Sequence, residues 1–122
     1  MENGDQPLAP RLDVHEEGEE TGTRVIALRG ELDVATVGRL RAVLSEVIDD
    51  PSAKLVVVDL IEVTFIDSTG LMTLLNALRR LVRRGGRLVL ACSNPTVLRL
   101  FEATRTDETF DIVPTREQAL TA

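Results

Sequence analysis

The sequence lacks several residue types on which common protein chemistry depends. It has one cysteine, Cys92, one histidine, His15, and no tryptophan or tyrosine. A single cysteine excludes an intramolecular disulfide and a cysteine metal cluster. We expect neither metal nor cofactor. A serine nucleophile is usually activated by histidine, but His15 lies in an acidic stretch and is interpreted as a solvated surface residue. We therefore expect no catalytic residue, and Cys92 is interpreted as a small core residue.

Long apolar runs and a positive net charge are also absent. No run of about 18 apolar residues occurs, so we expect no membrane span. The acidic N-terminus has no signal-peptide stretch, and we expect a cytoplasmic protein. The formal net charge of −6 does not attract nucleic acid. Five arginines without interleaved aromatic residues are interpreted as a mostly solvated helix face: Arg79, Arg80, Arg83, Arg84 and Arg87.

The 122 residues fit one domain, with residues 1–10 as a flexible tail and residues 11–122 as the domain. Apolar periodicity predicts a hairpin from Leu12 to Leu28, with an acidic turn at Glu16–Gly22. Further strands are predicted at Lys54–Leu60, Arg87–Ala91 and Phe110–Val113. Helices are predicted at Val34–Ile48 with Asp33 as N-cap, at Ser68–Arg84, after Asn94-Pro95, and at Thr115–Leu120. Alternating strands and helices imply a small α/β domain, with a mixed, mostly parallel sheet of four to five strands and about four helices.

The segment Asp67-Ser68-Thr69-Gly70 lies between a strand exit and a helix start. Backbone N–H groups lack intrahelical partners there, and a phosphate is favoured at such a position. The residues alone leave open whether Asp67 or Ser68 is only an N-cap. Met72 falls off the apolar stripe of this helix, and it is either idle or an adaptable contact for a partner. The predicted stripe consists of Leu71, Leu74, Leu75, Leu78, Leu81 and Val82.

The stretch Phe65–Leu71 closely resembles the signature of STAS-domain anti-sigma-factor antagonists, also called anti-anti-sigma factors. In that signature an aspartate precedes a phosphorylatable serine, and a glycine-leucine pair follows. Three other segments are similar to the family pattern: Gly30–Asp33, Arg84–Leu88 and Leu98–Phe101. The likeness runs from about Leu12 to Leu120, with the expected order of elements.

This resemblance implies a STAS-like fold and a phosphoprotein that regulates transcription by partner switching, as in sporulation or a stress response. Such an antagonist binds an anti-sigma factor that is also a serine kinase, and so releases a sigma factor. The kinase, using its own ATP and magnesium, phosphorylates the antagonist and weakens binding, and a serine phosphatase restores it. We expect a free monomer, without a nucleic-acid or membrane partner.

Carried onto this sequence, the resemblance makes Ser68 the phosphoacceptor, with Thr69 as a less favoured second acceptor. The partner-binding residues that it implies are Asp33, Asp67, Thr69, Gly70, Leu71 and Met72. Many family members have glycine where this chain has Met72. That difference bears on kinase fit or partner choice and leaves the acceptor in place.

Two other functions were compared with this interpretation. A receiver phosphorylated on Asp59 would need an acidic cluster and a downstream lysine, but the one lysine, Lys54, lies upstream. Asp59 is therefore interpreted as structural. The alternative within the same fold is a non-phosphorylated STAS scaffold in a sensory or lipid-transport complex. The presence of Ser68 favours the phosphorylated switch over this alternative.

Overall fold

The computed structural model describes residues 11–18 and 21–122, and the predicted tail at 1–10 lies outside these residues. The strands are β1 (Leu12–Gly18), β2 (Thr23–Leu32), β3 (Leu55–Ile66), β4 (Arg87–Ala91) and β5 (Asp111–Val113). The helices are α1 (Val37–Ile48), α2 (Ser68–Arg83), α3 (Pro95–Ala103) and α4 (Arg116–Leu120), and a 3₁₀ turn at Thr106–Glu108 follows α3. Within the described residues, no helix combines the length and apolarity that crossing a membrane requires.

The five strands form one sheet in the order β1-β2-β3-β4-β5. β1 pairs with β2 antiparallel, and the other three pairings are parallel. The predicted mixed, mostly parallel sheet is therefore confirmed. Val56 and Val58 of β3 belong to the larger core beneath α1, α2 and α3, whereas Val57 belongs to a smaller core with Ala119 of α4. The central strand is thus covered on both faces, as its apolar run indicates.

β3 is longer than predicted, because it continues through Ile66 instead of ending near Leu60. Its pairing with β2 has two irregularities, between Ala27 and Arg29 and between Gly30 and Glu31. An extra residue at a bulge breaks the alternation of inward and outward side chains. The second half of the strand therefore lacks the sequence pattern that predicts a strand. The long strand delivers the chain directly to the start of α2.

The predicted start of α1 is wrong, because the helix begins at Val37 with Thr36 as its N-cap. Asp33 closes the turn before the helix instead, where its Oδ1 accepts hydrogen bonds from the amides of Ala35 (3.0 Å) and Thr36 (3.1 Å). Val34 is therefore in a turn and is 71% exposed.

β1 continues to Gly18, through the segment predicted as the start of an acidic turn. Arginines compensate for the charge of its two glutamates. Glu16 pairs with Arg24, and Glu17 Oε1 lies 2.5 Å from Nη1 of Arg116.

Most predictions for single core residues agree with the structure. Leu71, Leu74, Leu75 and Leu81 of α2 are buried, but Val82 is 60% exposed and does not belong to the core. Cys92 is buried, as predicted, and burial raises the pKa of its thiol.

Two polar residues also have the predicted structural or surface positions. Asp59 accepts hydrogen bonds from Arg116 Nε (2.8 Å) and the amide of Ile61 (2.9 Å), which confirms its structural role. The His15 side chain is 74% exposed, which confirms that it is a surface residue.

Candidate functional site

Asp67 joins the start of α2 to the loop that follows β2. Its backbone is extended, and its Oδ1 caps the helix by accepting from the Gly70 amide at 2.9 Å. Its other oxygen, Oδ2, accepts from the Val34 amide at 3.1 Å. The Asp67 amide donates to the Leu32 carbonyl at 3.1 Å. One residue thus fixes the position of two chain segments that are 33 residues apart.

Ser68 is the first residue of α2, and it is exposed. Its hydroxyl makes no hydrogen bond with any other residue in the described part of the chain. The amides of Ser68 and Thr69 belong to the first turn, where no intrahelical acceptor exists. The positive end of the helix dipole therefore faces the position of a group attached to Ser68. A small nucleophilic hydroxyl at such a place is open to modification by an enzyme.

Exposed apolar side chains lie beside this serine. Met72 is 47% exposed and lies one turn after Ser68 on the same helix face. Val34 is held next to Asp67 by its amide hydrogen bond. Together with half-buried Thr69, these residues form what we call the switch surface: Val34, Ser68, Thr69 and Met72. None of the four side chains carries a charge.

Three residues predicted to contact a partner are buried. Leu71 is 4% exposed and packs in the core. A Cβ on buried Gly70 would lie 2.8 Å from Leu32 Cγ, so this glycine lets α2 approach β2 closely. Asp33 is 9% exposed and holds its turn, and its Oδ2 also pairs with Arg11 Nη1 at 3.3 Å. Leu71, Gly70 and Asp33 therefore support the surface from beneath.

Sequence reasoning missed Val34, whose exposed side chain belongs to the switch surface. Val34 lies three residues before Val37, so its spacing fits the apolar face of a helix. The spacing therefore did not indicate that Val34 is exposed in a turn. The available signal was the spacing of Asp33 and Thr36, two turn-forming side chains whose hydrogen bonds close the loop.

Over residues 11–18 and 21–122, no three His, Cys, Asp or Glu side chains gather in a way that could hold a metal ion.

Known proteins with similar sequences and folds belong to the family that the motif resembles. Residues 16–119 match the family model of the STAS domain. An anti-sigma F factor antagonist from Paenibacillus polymyxa is 29% identical over 100 residues, covering 82% of this chain and 86% of that protein. These matches span nearly all of the described sheet and helices.

Two solved structures are similar in fold and sequence. An anti-sigma factor antagonist from Mycobacterium paratuberculosis superposes with a TM-score of 0.83 at 30% identity, covering 93% of this chain and 95% of that one. The Bacillus cell fate determinant SpoIIAA, in its phosphorylated form, gives 0.71 at 28% identity, covering 89% and 97%. These similar proteins are named as anti-sigma factor antagonists and as a cell fate determinant, which are names of regulatory proteins. With its fold, its motif-bearing helix start and these matches, the chain belongs to the STAS domain family.

Proposed function

We propose that this STAS domain is an anti-sigma-factor antagonist whose binding is switched by phosphorylation of Ser68. The observation that carries the proposal is the exposed Ser68 hydroxyl at a capped helix start, beside the exposed apolar side chains of Val34 and Met72. The names of two similar proteins support the antagonist role. A third similar protein has a structure in a phosphorylated form, which supports the switch.

In the unphosphorylated state, the switch surface suits a protein partner. Val34 and Met72 offer exposed apolar area, and burying a side chain of this kind fully contributes roughly 1.5–3 kcal/mol. Ser68 adds only a small neutral hydroxyl, which costs little to cover when it finds a hydrogen-bond partner. Asp67 holds Val34 and α2 together, so both apolar contacts are already positioned before binding.

Phosphorylation changes the same surface by charge. A phosphoserine carries about −1.5 to −2 charges, and it would stand next to the carboxylate of Asp67. A partner that covers this dianion without a matching cation must desolvate it, and a cost of about 3 kcal/mol weakens binding more than a hundredfold. In the free protein the helix dipole stabilises the phosphate by roughly 0.3–1 kcal/mol. Both effects favour the dissociated state.

The proposed cycle has three partners. The anti-sigma factor is the serine kinase, and it brings the ATP and magnesium. Binding of the unphosphorylated antagonist releases the sigma factor, and phosphorylation of Ser68 reverses this. A serine phosphatase then restores the antagonist.

The test is mass spectrometry of the protein after incubation with ATP, magnesium and candidate anti-sigma kinases. We expect one phosphate on Ser68, none in Ser68→Ala, and weaker kinase binding by the phosphorylated form. Ser93→Ala removes another exposed serine, in the loop before α3, and should be phosphorylated like the wild type. Thr69→Val should also be phosphorylated. Tight binding without phosphate would indicate an unregulated antagonist, and neither binding nor phosphate would favour the scaffold function.

A further inference from the structure

A cleft of about 330 Å³ lies between α1 and α2, beyond the switch surface. Leu44, Ile48 and Ala77 line its apolar floor. Polar side chains line the rest: Arg41, Ser45, Thr73, Asn76, Arg80 and Arg83. Arginine side chains on both helices therefore face one concave surface, and the proposed switch uses none of them.

The positive charge of this cleft is only partly neutralised by carboxylates of the described residues. Arg41 and Arg83 are exposed and make no ion pair with the described residues. Arg80 lies 3.5 Å from Asp49, whose side chain is 76% exposed. Several other arginines are paired with carboxylates, as Arg24 is with Asp50 at 2.6 Å. In a protein with a net charge of −6, unpaired arginines on facing helices make this cleft an electropositive site on a mostly acidic molecule.

The cleft is continuous with the switch surface. Met72 and Asn76 are one turn apart on α2 and share a face. Thr73 is about 7.5 Å along the helix axis from Ser68, and Arg83 is about 22 Å from it, at 1.5 Å per residue. A standard interface buries about 800 Å² on each partner. A protein that covers Ser68 and Met72 over such an area also reaches the cleft.

We propose that the cleft receives an acidic segment of the anti-sigma factor, an inference that rests on the proposed function. The planar guanidinium group matches a carboxylate with two parallel hydrogen bonds, and Ser45 and Asn76 offer further donors. The cleft strengthens binding at a distance from the phosphate. Because Arg83 lies about 22 Å along the helix axis from Ser68, its contribution should add to that of the switch surface. The phosphorylated antagonist therefore keeps the weak, salt-sensitive part of its affinity.

The first experiment uses a hexaglutamate peptide and backbone-resolved NMR of the full chain. We expect shifts at Ser45 and Asn76 that are lost in Arg41→Gln/Arg83→Gln and kept in Arg99→Gln. Arg99 is an exposed arginine on α3 without an ion pair in the described residues, so it is a matched control. Absent shifts, or shifts elsewhere, would overturn the proposal. Shifts caused by inorganic pyrophosphate but not by the peptide would also overturn it, because they assign the cleft to a small anion.

The second experiment measures Ser68 phosphorylation kinetics with the cognate kinase. The double variant should raise KM about tenfold, with a smaller effect at high salt, and leave kcat unchanged because Ser68 keeps its geometry. Arg99→Gln should match the wild type. Phosphorylation with an unchanged KM in the double variant would overturn the cleft proposal and leave the proposed function standing. Absence of phosphorylation of the wild-type chain by every anti-sigma kinase would overturn both.

Discussion

Gly70 and Ser68 lie in the same turn of α2, but Gly70 is buried and Ser68 is exposed. Ser68 lies on the outer side, where its hydroxyl is exposed. Gly70 lies on the inner side, against Leu32 of β2. The accessibility of the serine thus depends on a glycine that lets the helix start lie close to the sheet.

The substitution Gly70→Ala should therefore destabilise the protein. Its Cβ would lie 2.8 Å from Leu32 Cγ and 2.9 Å from the Leu32 carbonyl oxygen, and the backbone oxygen has little freedom to move. We expect a loss of roughly 1–3 kcal/mol in the free energy of unfolding, as for other overpacked sites, measured by urea denaturation. Gly38→Ala is the control, since nothing lies within 4 Å of its added Cβ. That variant should gain up to about 1 kcal/mol from helix propensity, and equal destabilisation of both variants would contradict the argument.

At this scale the sequence predicted residue positions unevenly. The exposure of Met72 and the burial of Leu74 follow from helical spacing. Leu71 had two conflicting predictions, because it lies on the apolar stripe and also in the family motif. The structure places it in the core. A motif names residues that occur together, but it does not separate those that touch a partner from those that hold the motif in shape.

At the scale of elements, Asp67 links α2 to the loop before α1. Replacing it with alanine removes the acceptors of the Gly70 and Val34 amides. We expect a loss of about 1–2 kcal/mol, typical of a lost N-cap, and faster hydrogen exchange at both amides. Asp67→Asn should keep exchange slow at the Gly70 amide but not at the Val34 amide. The side-chain nitrogen of asparagine cannot accept the hydrogen bond that Val34 donates. Unchanged exchange at Val34 in Asp67→Ala would contradict the link.

The cap of α3 provides a matched comparison. Asn94 accepts from the Thr96 amide at 2.8 Å, so Asn94→Ala should speed exchange at Thr96 and leave Val34 and Gly70 unchanged. Faster exchange at all three amides would indicate general unfolding and not the loss of a specific contact.

Phosphorylation of Ser68 should leave α2 helical. The added charge lies at the positive end of the helix dipole, and Asp67 keeps its cap to Gly70. Far-UV circular dichroism of the phosphorylated and unphosphorylated proteins should therefore coincide. A large loss of helical signal would show that the switch acts by unfolding and not by local charge.

Element boundaries were predictable where periodicity and stop signals coincide. The strand Arg87–Ala91 agrees with its prediction, and α2 ends one residue before the predicted end at Arg84. The start of α1 and the end of β3 were missed. Both depend on irregular backbone, a turn closed by Asp33 and bulges against β2, and neither feature has a repeating pattern in the sequence.

Across the whole molecule, two arginines form ion pairs that join elements distant in the sequence. Arg116 of α4 reaches Glu17 on β1 and Asp59 on β3. Arg24 on β2 pairs with Glu16 and with Asp50, beyond α1. These arginines hold α4 and the end of α1 to the strands, while Arg41 and Arg83 of the α1–α2 cleft make no ion pair with the described residues.

The Arg116 network should make stability depend on pH in the acidic range. The hydrogen bond from Arg116 lowers the pKa of Glu17 below its ordinary value of 4.5. A carboxyl whose pKa is lower in the folded state stabilises the protein above the unfolded pKa, and this contribution is lost as the pH falls through the folded value. The free energy of unfolding, measured by urea titrations between pH 7 and 3, should therefore decrease as the pH is lowered below about 4.5.

The substitution Glu17→Gln should make this decrease smaller. It should not abolish the decrease, because hydrogen bonds from Ser52 and Arg24 also lower the pKa of Asp50. Glu102→Gln, an exposed glutamate on α3, should follow the wild type, and an unaltered slope in Glu17→Gln would show that the pair does not stabilise the fold.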